Sequence, residues 1–179
     1  IRIYSDWVNV TGFTSESADY GVHAVTFDYC TVQDCIVKDS DYGIYFHTTQ
    51  HSNLIGCNVS GCSNYGIYLY NSPGMIVSGN WVNGTGPLDN SYGLFLRASH
   101  EAVLERNRVF NNSGYGVRVY ENENVRMENN TVEGNGRIGL SLEVDTATHM
   151  RNNTFNRNQH DLYILGNSLA TFWQDIDIS

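Results

Sequence analysis

The chain lacks the features that mark membrane, nucleic-acid and helical-repeat proteins. No apolar run approaches the roughly 18 residues that a bilayer-spanning helix needs. Only 10 lysines and arginines stand against 19 acids, a formal net charge of -9, whereas a nucleic-acid partner needs clustered cations. Two prolines and no sustained helical periodicity disfavour helix-containing repeats of the leucine-rich or tetratricopeptide type. These absences exclude a membrane span and a nucleic-acid partner and favour a sheet-rich domain.

What the chain does have is one short phrase repeated along its length. The phrase reads YGVHA at 20, YGIYF at 42, YGIYL at 65, YGLFL at 92, YGVRV at 115 and IGLSL at 138, with a degenerate copy, DLYIL, at 161. The intervals between the successive glycines are 22, 23, 27, 23 and 23 residues. A fixed period of this kind is the signature of a stacked repeat, here with seven passes.

A second phrase lies between these copies, and aligning it produces two polar columns. It reads LERNRVFNN, MENNTVEGN and MRNNTFNRN. The first column contains Cys35, Cys57, Asn80, Asn107, Asn130 and Asn153; the second contains Ser40, Cys62, Thr85, Asn112, Asn135 and Asn158. Because stacked strands lie about 4.8 Å apart, like side chains at a turn can hydrogen-bond from rung to rung.

Apolar residues alternate within the first phrase, as at Ile67 and Leu69, which predicts that these side chains point inward and their neighbours outward. We therefore predict an all-β fold, a right-handed parallel β-helix of about seven coils of 22–23 residues with Asn/Cys ladder columns.

Together the two phrases resemble the β-helix repeats of the carbohydrate-binding and sugar-hydrolase class, including periplasmic NosD-like repeats. The resemblance covers residues 8–165. Similar arrays occur in polysaccharide lyases, epimerases, archaeal surface proteins and phage tailspikes, so the resemblance implies a fold and not one chemistry.

We predict a single domain over residues 1–179, with regular coils at 8–165. Residues 1–7 form an entry segment or part of an upstream coil, and residues 166–179 form a partial coil or a cap that includes Phe172 and Trp173. An insertion near 83–91 either overhangs the outer face or is a tolerated surface loop. The N-terminus lacks a signal-peptide layout, which is the expectation for a mature protein or an excised fragment.

The outward positions of the YG-strand are the candidate binding residues. Sugar rings stack their apolar faces on aromatic side chains, and sugar hydroxyls pair with charged groups. Cross-strand stabilisation of the sheet and a contact with another protein are the alternative roles. The predicted carbohydrate-binding residues are Tyr45, His47, Tyr68, Tyr70, Phe95, Arg97, Arg118, Tyr120 and Glu143.

A second aromatic column precedes each repeat glycine, and its regularity indicates turn packing. It contains Tyr20, Tyr42, Tyr65, Tyr92 and Tyr115. The glycine itself indicates a backbone conformation that disfavours a Cβ atom.

The four cysteines allow either a Cys35–Cys57 disulfide between adjacent rungs or buried free thiols. We predict no metal and no cofactor, because no CxxC or His-x-His pair occurs. The early aspartates are expected to be solvated turn residues, and Met127 and Met150 are expected to fill the core. The aspartates in question are Asp28, Asp34, Asp39 and Asp41.

The acids are scattered, and neither the DPHD motif of alginate epimerases nor the GHG-type motif of polygalacturonases occurs. We therefore expect a non-catalytic module at the cell surface or outside the cell, with the periplasm as a further location. It binds polysaccharide or builds a surface assembly, by self-association or with a surface protein, through its outer sheet faces. The alternative is a polysaccharide-active hydrolase, lyase or epimerase that uses the outer face of the YG-strand sheet.

Overall fold

Each repeat folds into one coil of three short strands, and the coils stack into three parallel sheets. The computed structural model describes residues 1–86, 91–145, 147–166, 170–173 and 177–178. Strands are numbered in chain order. Sheet A contains β1 (Arg2–Ile3), β4 (Tyr20–Val25), β7 (Tyr42–His47), β10 (Tyr65–Tyr70), β13 (Tyr92–Arg97), β16 (Tyr115–Tyr120), β19 (Ile138–Glu143) and β22 (His160–Leu165).

Sheets B and C are built from shorter strands, one of each in every coil. Sheet B contains β2 (Asn9–Thr11), β5 (Thr31–Gln33), β8 (Asn53–Ile55), β11 (Ile76–Ser78), β14 (Val103–Glu105), β17 (Arg126–Glu128), β20 (Thr148–Arg151) and β23 (Ala170–Trp173). Sheet C contains β3 (Thr14–Glu16), β6 (Ile36–Lys38), β9 (Asn58–Ser60), β12 (Trp81–Asn83), β15 (Arg108–Phe110), β18 (Thr131–Glu133), β21 (Thr154–Asn156) and β24 (Asp177–Ile178).

Neighbouring coils pair in register, so equivalent residues of the repeat lie directly above one another. Tyr65, for example, lies opposite Tyr42 on one side and Tyr92 on the other. The described residues contain no helix, and therefore none that could cross a membrane. The prediction of an all-β parallel β-helix of about seven coils is confirmed.

Sharp corners separate the strands, and each corner within residues 1–166 contains a residue with positive φ. At the corner between sheets B and C these residues include Asn129 (φ 55) and Asn152 (φ 51). Asparagine tolerates this left-handed conformation better than most residues. The next residue, Asn130 or Asn153, is buried and immediately precedes the following strand of the coil, with its side chain in the ladder.

The two predicted Asn ladders are present. In the first, the side-chain amide of Asn80 donates to Asn107 Oδ1 at 3.0 Å, and that of Asn107 donates to Asn130 Oδ1 at 3.0 Å. In the second, Asn112 donates to Asn135 at 3.0 Å and Asn135 to Asn158 at 2.8 Å. These bonds satisfy buried polar groups that would otherwise destabilise the interior.

A third inward ladder runs along the corner that follows sheet A, and the sequence alone did not predict it. Each backbone N–H donates to the side chain of the next coil, ending with Asn122 N–H to Asp145 Oδ1 at 2.8 Å. The pattern escaped detection because its members are chemically mixed. They are Thr49, Ser72, Ser99, Asn122 and Asp145.

The alternating apolar residues fill the core, and Ile67, Leu69, Met127 and Met150 are completely buried there, as predicted. All four cysteines are buried free thiols, the second of the two predicted states. Burial raises the pKa of the Cys57 thiol to about 12 and that of Cys62 to about 11.

The repeat glycines have a different cause from the predicted one. A Cβ atom on Gly66 would lie 2.4 Å from Val82 Cγ1, and equivalent valines crowd the repeat glycines from Gly21 to Gly116, whereas Gly139 is crowded by Asn158; none of these glycines has a positive φ angle. The interior lacks space for a side chain at this corner, and the backbone conformation itself would accept one. Residues 87–90 of the predicted insertion and the side chains of Phe172 and Trp173 in the predicted cap lie outside the described part of the chain.

Candidate functional site

All nine predicted binding residues lie on the outer face of sheet A. Inward residues such as Leu69 and Leu96 are buried in the core, so the alternating residues between and beside them, such as Tyr68 and Arg97, project from the opposite side of each strand. In-register stacking then lines up equivalent side chains along the axis of the coil. One continuous outer face therefore holds the predicted residues of β7, β10, β13, β16 and β19.

The tyrosines that precede the glycines also lie on this face, where we had predicted turn packing. Their rings stack on one another, with centroid distances of 5.0 Å for Tyr20–Tyr42, 5.1 Å for Tyr42–Tyr65, 5.2 Å for Tyr65–Tyr92 and 4.9 Å for Tyr92–Tyr115. The reason is local. Both Gly66 and Ile67 face the interior, which breaks strict alternation and leaves Tyr65 outside.

A second column of rings runs beside the first, and together the two columns form what we call the aromatic ladder. This column contains His23, Tyr45, Tyr68 and Phe95, with Tyr68 and Phe95 only 5° from parallel at 5.1 Å. Since each inner ring is covered on both faces, mainly edges and hydroxyls remain for solvent. Phe95 is only 6% exposed, although the sequence indicated an accessible residue.

The hydroxyls of Tyr45, Tyr65 and Tyr68 remain protonated at neutral pH. Burial, reinforced by the neighbouring tyrosines, raises the pKa of Tyr45, Tyr65 and Tyr68 to about 12 each. The ladder therefore presents rows of hydroxyl groups that can both donate and accept hydrogen bonds.

On β16 and β19 the outer face carries a charged pair, Arg118 and Glu143. Arg118 donates from Nε to Glu143 Oε1 at 2.9 Å and from Nη2 to Oε2 at 2.7 Å, a two-pronged ion pair. Arg118 also donates from Nη1 to the Tyr92 hydroxyl at 3.0 Å, and Ser141 donates to Glu143 Oε1 at 2.8 Å. These bonds fix both charged groups in one orientation.

The protonation state of this pair follows from its contacts. Burial alone would raise the pKa of Glu143, but the hydrogen bonds from Arg118 and Ser141 and the positive charge of Arg118 outweigh it and lower that pKa. Burial alone would lower the pKa of Arg118, and its bonds to Glu143 and Tyr92 raise it instead. Both groups therefore stay charged at neutral pH.

Arg97 provides a second cation on the same face. Its guanidinium lies 5.4 Å from the centre of the Tyr70 ring and 5.6 Å from that of Tyr120, within range of cation–π attraction. Its Nε is 3.7 Å from Glu121 Oε2. His47 stacks on Tyr70 at 4.9 Å and completes this edge of the face.

The aromatic ladder stops at β19, and a cavity opens there. Ile138 replaces tyrosine in the first column, and Ser141 replaces the large side chain in the second. We call the resulting cavity of about 490 Å³ the notch; its lining includes Tyr115, Arg118, Ile138, Glu143, His160 and Tyr163. A shallower depression of about 310 Å³ lies on the other side of Arg118, over Tyr68 and Phe95.

Several members of the notch were absent from the predicted set. Arg137, whose guanidinium lies 5.3 Å from the centre of the Tyr115 ring, and His160 both border it. The signal that could have located the notch was the weak repeat copy IGLSL, in which two bulky outward positions become Ile138 and Ser141.

The early aspartates have local structural contacts. Asp28 Oδ1 accepts a hydrogen bond from the backbone N–H of Gln50 at 2.7 Å, and Asp6 Oδ1 accepts one from the N–H of Asp28 at 2.8 Å. Within the described ranges, no group of three or more His, Cys, Asp and Glu side chains is arranged to hold a metal ion.

Comparison with known families agrees with this architecture. The sequence matches the family described as right handed beta helix region over residues 1–155 and again over 88–174. The chain belongs to this β-helix family. No curated protein matches it in sequence.

Solved structures share the fold at low sequence identity. The periplasmic alginate epimerase AlgG superposes with a TM-score of 0.74 at 19% identity, over 94% of this chain and 50% of that one. The A-module of the mannuronan C-5 epimerase AlgE6 from Azotobacter vinelandii gives 0.73 at 14% identity, over 98% and 55%. Tailspike protein 2 of the Escherichia coli O157:H7 bacteriophage CAB120 gives 0.79 at 14% identity, over 93% and 25%.

The chain thus spans about half, or less, of the length of these similar structures. Likeness at this level of identity shows a common β-helix fold. It assigns no activity to the β-helix described here.

Proposed function

We propose that this β-helix is a non-catalytic carbohydrate-binding module that holds a polysaccharide along the outer face of sheet A. The observation that carries the proposal is the notch, where an oriented Arg118–Glu143 pair lies at the end of rows of tyrosine hydroxyls. Polysaccharide recognition uses this combination of apolar ring surface and fixed hydroxyl partners.

The geometry favours a ligand that runs parallel to the axis of the coils. Equivalent hydroxyls recur at each coil, at the strand spacing of about 4.8 Å, and the two depressions lie along the same line on either side of Arg118. A polymer with one hydroxyl-rich ring per coil could contact several rungs at once. The weak contacts at successive rungs would together retain the protein on a long polysaccharide chain.

The proposal also covers the class of ligand and the location of the protein. Two of the similar structures are epimerases named for alginate and mannuronan, which are polysaccharides, and this supports a glycan partner. We place the protein outside the cell, at the cell surface or in the periplasm, as a NosD-like member of the β-helix family. The acidic composition, with a net charge of -9, favours a glycan that is neutral, or one that is bound only at a local site on the surface.

An enzyme acting on polysaccharide is the rival function, and its catalytic groups would have to lie in the notch. Glycoside hydrolysis needs two carboxyl groups flanking the bond, one of them protonated. Among the described residues that line the notch, Glu143 is the one carboxylate, and its lowered pKa keeps it ionised. A binding role therefore accounts for the Arg118–Glu143 pair better than acid catalysis does.

The test is retention of the purified protein on insoluble or immobilised polysaccharides, together with its mass in solution and an assay for product release. Wild-type protein should be retained as a monomer without releasing product, and Arg118→Met should weaken retention at least about tenfold. Arg126→Met is the matched control because Arg126 is an exposed arginine on the outer face of sheet B. Product release would establish the enzyme, and concentration-dependent assembly without retention would establish a structural surface protein.

A further inference from the structure

The notch occupies the place of one missing rung in the aromatic ladder. In the second column the outward residues run Tyr68, Phe95, Arg118, Ser141 and Tyr163 in successive coils. Flat groups occupy the positions before and after Ser141. Two strand spacings, or about 9.6 Å, separate the flat groups on either side, which leaves room for one further ring between them.

Neighbouring side chains fill the missing rung only in part. Ser141 is completely buried and donates to Glu143 Oε1 at 2.8 Å, and the cavity of about 490 Å³ opens beside this pair, lined by residues that include Arg118, Ile138 and Tyr163. In the tyrosine column the ring centroids lie 4.9–5.2 Å apart, which leaves no gap of one ring between successive rungs.

Ring surface is available at the notch, in contrast to the rest of the ladder. Tyr163 is 41% exposed and lines the cavity, and no stacked ring partner of Tyr163 occurs among the described residues. Tyr68, by comparison, is covered by Tyr45 on one side and Phe95 on the other. The notch is therefore where a ligand ring can meet an aromatic face.

The floor of the notch offers fixed polar partners. Glu143 Oε1 accepts hydrogen bonds from Arg118 and Ser141, and these bonds hold the carboxylate at the base of the gap. Arg137 and His160 stand at the rim beside Tyr115. A ligand ring that enters edge-first would place its leading edge against these polar groups, which can bind hydroxyls, and both of its faces against flat side chains.

We propose that the notch is a subsite for a single pyranose ring, which inserts edge-first in the place of the missing rung between Arg118 and Tyr163. A pyranose has two apolar C–H faces and a hydroxyl-bearing edge, the combination that the walls and floor present. This inference rests on the proposed polysaccharide-binding function and adds the position and orientation of one sugar. An aromatic side chain of a partner protein is the competing occupant.

The decisive variant is Ser141→Tyr, which restores the missing rung. The new ring should stack between Arg118 and Tyr163 and fill the notch, and it leaves the inward face of β19 untouched. The melting temperature should fall by only about 2–4 °C, because the substitution breaks the buried Ser141–Glu143 hydrogen bond and leaves the core residues of β19 in place. Thr131→Tyr is the matched control because Thr131 is an outward residue of β18, in the same coil but on sheet C.

Saturation-transfer NMR with methyl glycosides of glucose, mannose, galactose and glucuronic acid provides the readout, and p-cresol serves as an aromatic probe. Wild type and Thr131→Tyr should transfer saturation to the ring C–H protons of at least one glycoside, and Ser141→Tyr and Tyr163→Ala should lose the transfer. Equal transfer to the glycoside in Ser141→Tyr would overturn the subsite. So would a wild-type protein that responds to p-cresol and to none of the glycosides.

Polysaccharide retention separates this proposal from the broader one. If the wild-type protein is retained and Ser141→Tyr is retained equally well, the subsite proposal is wrong. The outer face of sheet A then remains the proposed binding surface. Failure of wild type to be retained by any polysaccharide would remove the proposed function, and the subsite with it.

Discussion

The early and late coils of this β-helix are held together in different ways. In the early coils the first inner column is cysteine, at Cys35 and Cys57, whose thiols donate weak hydrogen bonds to backbone carbonyls such as Ile55 O at 3.5 Å. The outside of the same coils carries the stacked rings of the aromatic ladder. In the late coils the inner columns are asparagine, and the outer face becomes ionic and opens into the notch.

The two kinds of contact overlap from β10 to β16, where the Asn80–Asn107 and Asn107–Asn130 rungs join the same coils as the stacked rings of the tyrosine column. Asn rungs connect neighbouring coils through side-chain and backbone bonds at once, whereas a thiol column does so weakly. Stacked aromatic pairs contribute roughly 0.5–1.5 kcal/mol each beyond their buried area. Beyond β16 the asparagine columns continue without outer stacking, and the notch opens there.

The largest effect should come from breaking the inner ladder in its asparagine part. Asn107→Ala removes the acceptor for both the backbone and side-chain amides of Asn80 and leaves Val77 O without its donor. Each buried unsatisfied group costs about 1–3 kcal/mol, so the free energy of unfolding should fall by roughly 3–5 kcal/mol. Urea unfolding followed by circular dichroism measures it.

Cys57→Ala is the counterpart in the thiol part of the same column and should cost only about 1–2 kcal/mol, mostly through lost packing. Equal losses in the free energy of unfolding for the two variants would mean that asparagine and cysteine rungs stabilise the coils to the same extent. The comparison between early and late coils would then fail.

A smaller effect is expected on the outer face. There the variant in the earlier coil should be the more destabilising of the two. Tyr68→Ala removes a half-buried ring stacked between Tyr45 and Phe95 and should lower the free energy of unfolding by about 2 kcal/mol. Tyr163→Ala removes an exposed ring and should change it by less than about 0.5 kcal/mol. Thermal unfolding of the two variants side by side checks this; a larger loss in Tyr163→Ala would contradict the account.

The last prediction concerns how stability depends on pH, through the acid at the end of the third ladder. Burial, only partly offset by hydrogen bonds from Asn122 and Glu143, raises the pKa of Asp145 to about 7. Because the folded-state pKa lies above the unfolded value of about 3.9, the folded state binds the extra proton. Stability should therefore decline as pH rises from about 4 to about 7 and level off above that range.

Asp145→Asn should flatten that decline. Its net gain at pH 8 is expected to be only about 1 kcal/mol, because the amide cannot reproduce the acceptor that Glu143 N–H uses at 2.8 Å. Melting temperatures of both proteins from pH 4 to pH 8 provide the check, and parallel curves would show that Asp145 is not the titrating group.

The sequence predicts the fold well because the signals that specify it repeat. Every coil repeats the inward alternation and the later coils repeat the Asn columns, so the β-helix and both Asn ladders could be predicted from residues such as Asn107 and Asn135. The third ladder could not, because Thr49, Ser99 and Asp145 share a position without sharing a residue type.

The site was predictable in its location and not in its geometry. Alternation placed Tyr68, Arg118 and Glu143 on one face, but it would place Tyr65 inside. Crowding at Gly66 against Val82 decides that position, and crowding between strands distant in sequence is not visible in a local pattern. The covered ring faces and the notch likewise depend on how neighbouring coils pack.

The most direct test of the account is to map the bound polysaccharide onto the protein surface. Backbone NMR shifts of the labelled protein should be recorded during titration with oligosaccharides cut from whichever polysaccharide retains it. We predict that the shifts concentrate on β16, β19 and β22 and fade along the outer face of sheet A toward β7. Shifts confined to sheet B or sheet C would contradict the assignment of sheet A as the binding face.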